Sequence, residues 1–271
     1  MEQVKRVASA LVILPPLLLF LYYAPSELFL MLMLAVTVLC LREYFHMLAL
    51  THWPLCTATS YIVALLLVYA AYAGGERWMS RVLSFGVTFL VLSALVTSQS
   101  HPHRLLVLLQ SVFGVLFIGW GLSHLILLRN LDTGQWYIFF LCGIVWVGDT
   151  VAMYVGKSLG RHKMAPSTSP GKTWEGAIGG IVGGLSAAVF GARFFIPQVT
   201  LWQGLGLGLL VSVAAQVSDL GESMIKRYAG VKDSGDFIPG HGGLLDRIDS
   251  VLLAAPMLIY ALDFLLQISA P

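Results

Sequence analysis

The chain of 271 residues is 58% hydrophobic and only 11% charged, which excludes an ordinary soluble globular domain and predicts an integral membrane protein. Its net charge of +2 is too small to indicate a nucleic-acid partner. Apolar runs of about 20 residues recur along the chain, each long enough to cross a bilayer as a helix, and they lack the alternation of a β-barrel. We therefore expect an all-α, polytopic membrane protein.

Nine membrane spans are predicted from the apolar runs. They lie at 7–24, 27–48, 55–73, 78–97, 105–128, 135–156, 174–196, 199–225 and 247–268. The first run is expected to be an uncleaved helix rather than a signal peptide, because it is long and another span follows at once. The two long polar connections, 157–173 and 226–246, both lie in the second half. We therefore divide the chain into N-terminal membrane helices, 1–130, and a catalytic membrane region, 131–271.

The positions of Lys and Arg predict the orientation of these spans. If the N-terminus is cytoplasmic, the opposite side receives only four of the 16 Lys and Arg residues, namely Arg77, Arg81, Arg129 and Arg193. Both long polar connections are then expected to face the cytoplasm.

Small residues in the seventh and eighth spans predict close helix packing. Glycines recur four residues apart in the seventh span, at Gly176, Gly180 and Gly184 and again at Gly179 and Gly183. The run Gly-Leu-Gly-Leu-Gly at 204–208 looks superficially like a nucleotide-binding fingerprint. No strand precedes it, however, so packing is the favoured interpretation.

The eighth span also carries a polar face. Its members recur at steps of four, three, four and three residues, which places them on one side of a helix: Ser212, Gln216, Asp219, Ser223 and Lys226. An aspartate at membrane depth costs about 2.5–3.5 kcal/mol on insertion scales, so this face is expected to line a cavity or an interface. Asp246 and Asp249 share a face at the start of the ninth span, and convergence of the two helix ends would gather several carboxylates.

Converging carboxylates repel one another unless a cation lies among them. Magnesium fits best, because it takes oxygen ligands and is commonly shared with substrate phosphates, whereas zinc would need more His or Cys. Two alternatives stay open. One is a structural ion-pair network with Lys226, Arg227 and Arg247; the other is a proton or sodium path through Asp149, Asp219 and Asp246.

Two further segments are expected to bind anions. His241 stands beside Gly242 and Gly243, and paired glycines after a turn let backbone N–H groups approach an anion closely. The run Ser-Pro-Gly-Lys-Thr at 169–173 leads directly into the seventh span, so that hydroxyls, a lysine and free N–H groups point at one spot. The alternatives are a solvated loop histidine and a plain helix cap with a solvated lysine.

Four short motifs occur in order between Ser223 and Asp249: Ser-x-x-Lys-Arg, Lys-Asp, Pro-x-His-Gly-Gly and Asp-Arg-x-Asp. Together with the segment from Asp149 to Gly176, this order resembles the phosphatidate cytidylyltransferase family, also called CDP-diacylglycerol synthases. The resemblance covers residues 145–249. The first five spans match only as generic apolar helices.

The resemblance implies a multi-pass enzyme of a bacterial inner or cell membrane and a homodimeric assembly, and the distribution of Lys and Arg predicts that its active site faces the cytoplasm. The enzyme would transfer a cytidylyl group from CTP to phosphatidic acid and release pyrophosphate. A phosphate oxygen of the lipid would attack the α-phosphorus of CTP, so that catalysis would depend on positioning and charge neutralisation.

Site residues follow from the same resemblance. Mg²⁺ would be held by Asp219 and Asp246, with Asp249 and Asp149 as further ligands. The catalytic set would comprise Asp219, Asp246, Lys226, Arg247 and His241, and the substrate-binding set would comprise Ser169, Lys172, Thr173, Ser223, Arg227, Lys232, Gly242 and Gly243.

Two other functions stay open on the sequence. A CTP-dependent polyprenol or phytol kinase would use the same nucleotide beside a different lipid. An ion-coupled transporter would use the buried carboxylates, but it would leave the polar loops rich in Lys, His and Gly without an evident use.

Overall fold

The computed structural model consists mainly of long helices. It describes residues 15–97, 101–236 and 242–266, but not the side chains of residues 51, 101, 102 and 266. The helices are α1 (15–23), α2 (Ser26–Met47), α3 (Pro54–Val96), α4 (His101–Gly114), α5 (Gly121–Asn130), α6 (Gly134–Leu159), α7 (Trp174–Phe194), α8 (Leu201–Tyr228) and α9 (Leu245–Leu266). A 3₁₀ turn, Leu50–His52, precedes α3, and a π-helical segment, Val115–Trp120, joins α4 to α5.

Within the described ranges, seven helices are long and apolar enough to cross a membrane. The predicted all-α, multi-pass class is therefore confirmed, whereas the predicted number of nine spans is not. The predicted spans 55–73 and 78–97 correspond to the two arms of α3, which lie on either side of a break and pack against each other, with the hydroxyl of Ser93 3.6 Å from the Sγ of Cys56. The predicted first span, 7–24, lies partly outside the described residues.

A kink divides α3 at the point where the two predicted spans meet. Gly74 and Gly75 have non-helical backbone angles, and the φ of Gly75 is 61°, a region that glycine enters without steric cost. The side-chain amide of Asn130 donates hydrogen bonds of 3.4 and 3.3 Å to the carbonyl oxygens of Ala71 and Tyr72, just before the kink. Neighbouring side chains thus satisfy backbone groups near the break, as a kink in an apolar helix requires.

The chain divides into two compact units. The first comprises the residues up to Asn130 together with Asp233–Arg247, and the second comprises Leu131–Lys232 and the stretch that begins at Ile248. The described parts of the polar segment, 233–236 and 242–247, therefore fold with the N-terminal helices, although they lie far from them in sequence.

Helix α7 packs closely against α6 and α8 in the second unit, and its glycines are the reason. A methyl group on Gly176 would lie only 2.9 Å from the carbonyl oxygen of Ala152 in α6. A methyl group on Gly180 would lie 2.9 Å from the Cβ of Ala152 and 3.1 Å from the Nε2 of Gln216 in α8. The predicted role of these glycines in helix packing is confirmed.

The glycines of α8 divide into two kinds. A methyl group on Gly204 would lie 3.1 Å from the Cβ of Ala192, and one on Gly208 would also meet α7, at Ala188. Gly206, between them, faces open space, with nothing within 4 Å of an added methyl group. Two of the three glycines of this run therefore serve packing.

A small β-hairpin interrupts the predicted loop 157–173, and the sequence reasoning did not foresee it. Strands β1 (Lys163–Ala165) and β2 (Ser169–Thr173) pair antiparallel, with Lys163 opposite Thr173. Strand β2 contains Pro and Gly, residues that argue against a strand within a larger sheet; a two-stranded hairpin has only edge strands and tolerates them. It leads into α7, whose N-cap is Thr173.

Replacing Gly176 by Ala is expected to lower the midpoint of thermal unfolding in detergent. The new methyl group would meet backbone atoms of α6, which cannot swing aside as a side chain can, and overpacking of this kind costs about 1–3 kcal/mol. The matched control is Gly206→Ala, which adds the same group in open space and favours the helix by about 1 kcal/mol. Unfolding is monitored by circular dichroism. Equal midpoint shifts in the two variants would contradict the packing role.

Candidate active site

Three carboxylates from different helices lie together in the second unit: Asp149 on α6, Asp219 on α8 and Asp249 on α9. Asp219 lies close enough to interact electrostatically with both of the others, and Asp149 and Asp249 also interact with each other. We call these three residues the carboxylate cluster. It brings together three of the four aspartates that the sequence analysis put forward as metal ligands.

Lys172 places a positive charge at this cluster. Its Nζ lies 2.6 Å from the Oδ2 of Asp219, and it also interacts electrostatically with Asp149. Its side chain is only 23% exposed, so Lys172 is not the solvated lysine of the plain-cap alternative. The capping part of that alternative holds for its neighbour, because the hydroxyl oxygen of Thr173 accepts a 3.1 Å hydrogen bond from the backbone N–H of Gly176.

A second lysine lies beside the cluster, in a buried ion pair. The Nζ of Lys226 is 2.5 Å from the Oε2 of Glu222, one turn earlier on α8, and Lys226 also interacts with Asp249. Glu222 is completely buried, and a buried carboxylate is strongly destabilising without a paired cation. The structural ion-pair alternative therefore describes part of the site, with Glu222 as the partner of Lys226.

Two serines that the sequence analysis overlooked hold the aspartates in place. Ser250 forms a side-chain hydrogen bond with Asp149, and its backbone N–H donates to the Oδ1 of Asp249 at 2.6 Å. The hydroxyl of Ser218 donates to the backbone carbonyl of Asp249 and accepts from the N–H of Leu253 at 3.3 Å. Each serine directly neighbours an aspartate of the cluster in sequence, and this was the signal available for finding it.

Arg227, expected to hold a phosphate, joins the hairpin to the end of α8. Its Nε donates a 3.0 Å hydrogen bond to the carbonyl of Thr168 in the hairpin turn, and its Nη1 donates a 3.1 Å bond to the carbonyl of Val231. Other predicted substrate-binding residues of this unit differ in accessibility: Ser223 is buried, Ser169 is half-buried and Lys232 is exposed.

Asp246 belongs to the first unit, where its carboxylate binds backbone groups. The Oδ2 of Asp246 accepts hydrogen bonds from the N–H groups of Ser234 at 2.9 Å and Gly243 at 2.8 Å. The N–H of Gly243, expected to approach a substrate anion, is thus directed at a carboxylate of the protein. Gly242 has a φ of 79°, and a methyl group there would lie 2.8 Å from the same Oδ2, so glycine is required on both counts.

Glu43 on α2 caps the start of α9 from the other end of the sequence. Its Oε1 accepts the N–H of Leu244 at 2.8 Å, and its Oε2 accepts the N–H of Leu245 at 2.9 Å. The hydroxyl of Ser234 lies 2.9 Å from both this Oε2 and the Oδ2 of Asp246. A carboxylate here satisfies free N–H groups and complements the helix dipole. No role was predicted for α2 from the sequence. The signal available for finding Glu43 was its position as an acid inside an apolar span.

Two of the predicted catalytic residues remain, His241 and Arg247. His241 lies outside the described residues. Arg247 is exposed at the start of α9.

The carboxylate cluster suits Mg²⁺ in its donor type, since it offers oxygen ligands from three helices. In residues 15–97, 101–236 and 242–266, no group of three or more His, Cys, Asp and Glu side chains is arranged to hold a metal ion. The ammonium group of Lys172 instead supplies the positive charge at Asp219. The carboxylate oxygens therefore suit Mg²⁺ as donor atoms. A bound ion would either share the site with the ammonium group of Lys172 or take its place.

Comparison with known proteins gives a consistent picture. The sequence profile described as the cytidylyltransferase family matches residues 4–265. A phosphatidate cytidylyltransferase of Bacillus subtilis (strain 168) is 46% identical over 151 residues, which are 54% of this chain and 55% of that protein. One from Brucella abortus biovar 1 (strain 9-941) is 44% identical over 149 residues, 54% of each chain. One from Staphylococcus aureus (strain COL) is 37% identical over 173 residues, 64% of this chain and 65% of that protein. The matched stretches thus cover less than two thirds of each relative.

Replacing Glu43 by Gln is expected to lower the midpoint of thermal unfolding in detergent, because two N–H groups at the start of α9 lose a charged acceptor. Hydrogen bonds to charged groups contribute about 1.5–3 kcal/mol each. The control is Glu27→Gln, which removes the same charge from the exposed first turn of α2, where Glu27 accepts only a 3.2 Å bond from the hydroxyl of Tyr72. A midpoint no lower for Glu43→Gln than for the control would contradict the capping role.

Proposed function

Because the chain belongs to the cytidylyltransferase family, we propose that it transfers the cytidylyl group of CTP to phosphatidic acid and produces CDP-diacylglycerol and pyrophosphate. The names of its relatives support this substrate pair. The observation that carries the proposal is the carboxylate cluster with Lys172 at its edge, since a lysine from a polar hairpin and acids from membrane helices meet at one place.

Different residues of this site are suited to binding each of the two substrates. Lys172, on the hairpin, is suited to the triphosphate of a water-soluble nucleotide, while Thr173 shapes the loop as the N-cap of α7. Lys226 and Arg227, at the end of α8, are placed to neutralise charge on the reacting phosphates. A phosphate oxygen of the lipid attacks the α-phosphorus of CTP, the bond to the β-phosphate oxygen breaks, and pyrophosphate leaves. Positioning and electrostatic stabilisation then supply the catalysis.

Asp219, Asp249 and Asp149 are the proposed magnesium ligands, and Asp246 stays a predicted further ligand. When bound, Mg²⁺ neutralises phosphate charge and orients the leaving group. Without such a cation, the neighbouring lysines and the hydrogen bonds of Ser250 offset the mutual repulsion of the three carboxylates. The cytoplasmic orientation of the site and the homodimer stay predictions.

Product analysis tests the proposed reaction. Purified protein supplied with CTP labelled in the cytidine moiety, phosphatidate and Mg²⁺ is expected to form a labelled lipid and to release pyrophosphate. A polyprenol or phytol kinase would release labelled CDP and leave the lipid unlabelled. An ion-coupled transporter would carry ions across sealed vesicles without consuming CTP. Either of these two results, in the absence of labelled lipid, would refute the proposal.

The variant Asp219→Asn separates a catalytic role for this carboxylate from a structural one. Turnover is expected to fall by about 100-fold or more, because a charged group is lost where transition-state charge must be balanced. Thermal stability without magnesium should change little: Lys172 keeps Asp149 as an acidic neighbour, and one source of repulsion disappears.

The control for this variant is Asp263→Asn, at an exposed position near the other end of α9, which should leave turnover unchanged. Both variants are compared in detergent over a magnesium titration and in thermal unfolding without metal. A marked loss of stability in Asp219→Asn, together with near-normal magnesium-dependent turnover, would show that Asp219 is a structural partner of Lys172.

A further inference from the structure

The first unit contains a cavity that the proposed chemistry leaves unassigned. It measures about 660 Å³ and opens between the last turns of α2 and the first turns of α3, beside the polar segment 233–247. Apolar side chains form one part of its lining, among them Leu39, Phe45 and Ala58. Basic and hydroxyl-bearing side chains form another part, so the cavity is amphipathic.

Two basic side chains lie four residues apart on α2 and line this cavity together. Arg42 and His46 therefore share one face of the helix, and both are exposed rather than packed into the core. Among the residues that the structure describes, neither side chain forms an ion pair with a carboxylate. An arginine without an acidic partner, at the wall of a cavity, is available to bind an anion.

A phenol from α3 faces the same space. Tyr61 lines the cavity and packs its ring edge-on against Phe45, with ring centroids 5.5 Å apart. Arg42 lies close enough to interact electrostatically with Tyr61. Within the described part of the chain, the hydroxyl of Tyr61 has no hydrogen-bond partner, so it can donate to the same anion as Arg42.

Two acids also line the cavity, and they restrict where an anion can bind. Glu43 is committed to the start of α9, where backbone N–H groups surround its oxygens. Asp236 is exposed on the segment 233–247. An anion is therefore placed at Arg42 and Tyr61 on the helical wall, rather than on the side of Asp236.

The position of the cavity along the helices points to a lipid rather than a free solute. Helix α2 ends at Met47 and α3 begins at Pro54, and both are long and apolar enough to cross a membrane. Their adjoining ends lie at one boundary of the hydrocarbon layer, at the level of lipid headgroups. The apolar lining then suits the start of an acyl chain, and Arg42 suits the phosphate above it.

We propose that this cavity binds the phosphomonoester headgroup of the acceptor lipid in a step that precedes transfer at the carboxylate cluster, and gives the N-terminal helices a part in substrate selection. The identity of the lipid as phosphatidate rests on the proposed function; the phosphomonoester recognition rests on Arg42 and Tyr61 alone. CTP also presents phosphate groups, so the experiment must distinguish binding of the lipid phosphate from binding of the CTP triphosphate.

The variants Arg42→Gln and Tyr61→Phe test this proposal in steady-state kinetics. Each is expected to raise the KM for phosphatidate, by about tenfold or more for Arg42→Gln, because one charge-assisted phosphate contact is lost. The KM for CTP and kcat at saturating lipid should stay near their wild-type values. Arg77→Gln is the matched control, an exposed arginine on α3 that does not line the cavity, and it should leave all three constants unchanged.

Direct binding provides a readout that needs no turnover. Wild-type protein in detergent is expected to bind phosphatidate more tightly than diacylglycerol, and Arg42→Gln should abolish that difference. Inorganic phosphate, which lacks the acyl chains, should compete only weakly.

The outcomes distinguish the two proposals. If the wild-type protein makes no CDP-diacylglycerol but prefers phosphatidate in an Arg42-dependent manner, the reaction is wrong and the lipid site stands. A rise in the KM for CTP alone, equal binding of phosphatidate and diacylglycerol, or full competition by inorganic phosphate would each overturn the lipid site.

Discussion

The ion pair between Lys172 and Asp219 is the interaction on which the charge balance of the candidate site depends. It joins a polar hairpin to the middle of a long apolar helix, and it places positive charge where three carboxylates would otherwise repel one another. A charge within a membrane helix needs a partner or a polar cavity; Asp219 has Lys172 as its partner, and Lys172 also interacts with Asp149. The pair therefore offsets part of the repulsion within the carboxylate cluster.

Close helix packing is what allows such a cluster to form from three separate helices. The glycines of α7 carry no side chains that would keep α6 and α8 away from α7. The amide of Gln216 on α8 donates a 3.0 Å hydrogen bond to the carbonyl of Ala177 on α7. Small residues serve here because helices in a bilayer associate through packing and polar contacts. The packing glycines thus let the helices that carry Asp149 and Asp219 approach α7 closely.

The first unit contributes more than membrane anchorage. Its helix α2 supplies Glu43 to the start of α9, and near that start the N–H of Gly243 donates to the carboxylate of Asp246. The cavity beside Arg42 lies in the same unit. A motif that resembles a substrate-binding loop is therefore held in shape by a helix that carries no part of the resemblance.

Local patterns in the sequence were sufficient for the membrane class, the helical class, the packing glycines and the polar face of α8. These properties depend on hydropathy and on spacing within one element, which a single segment of chain contains in full. The hairpin at 163–173 and the choice of Lys172 as the partner of Asp219 were not accessible in this way. Glu43 is the clearest case: it binds the N–H of Leu244, 201 residues away. Nothing near either residue specifies the other, because such a contact exists only once tertiary packing has brought the two helix ends together.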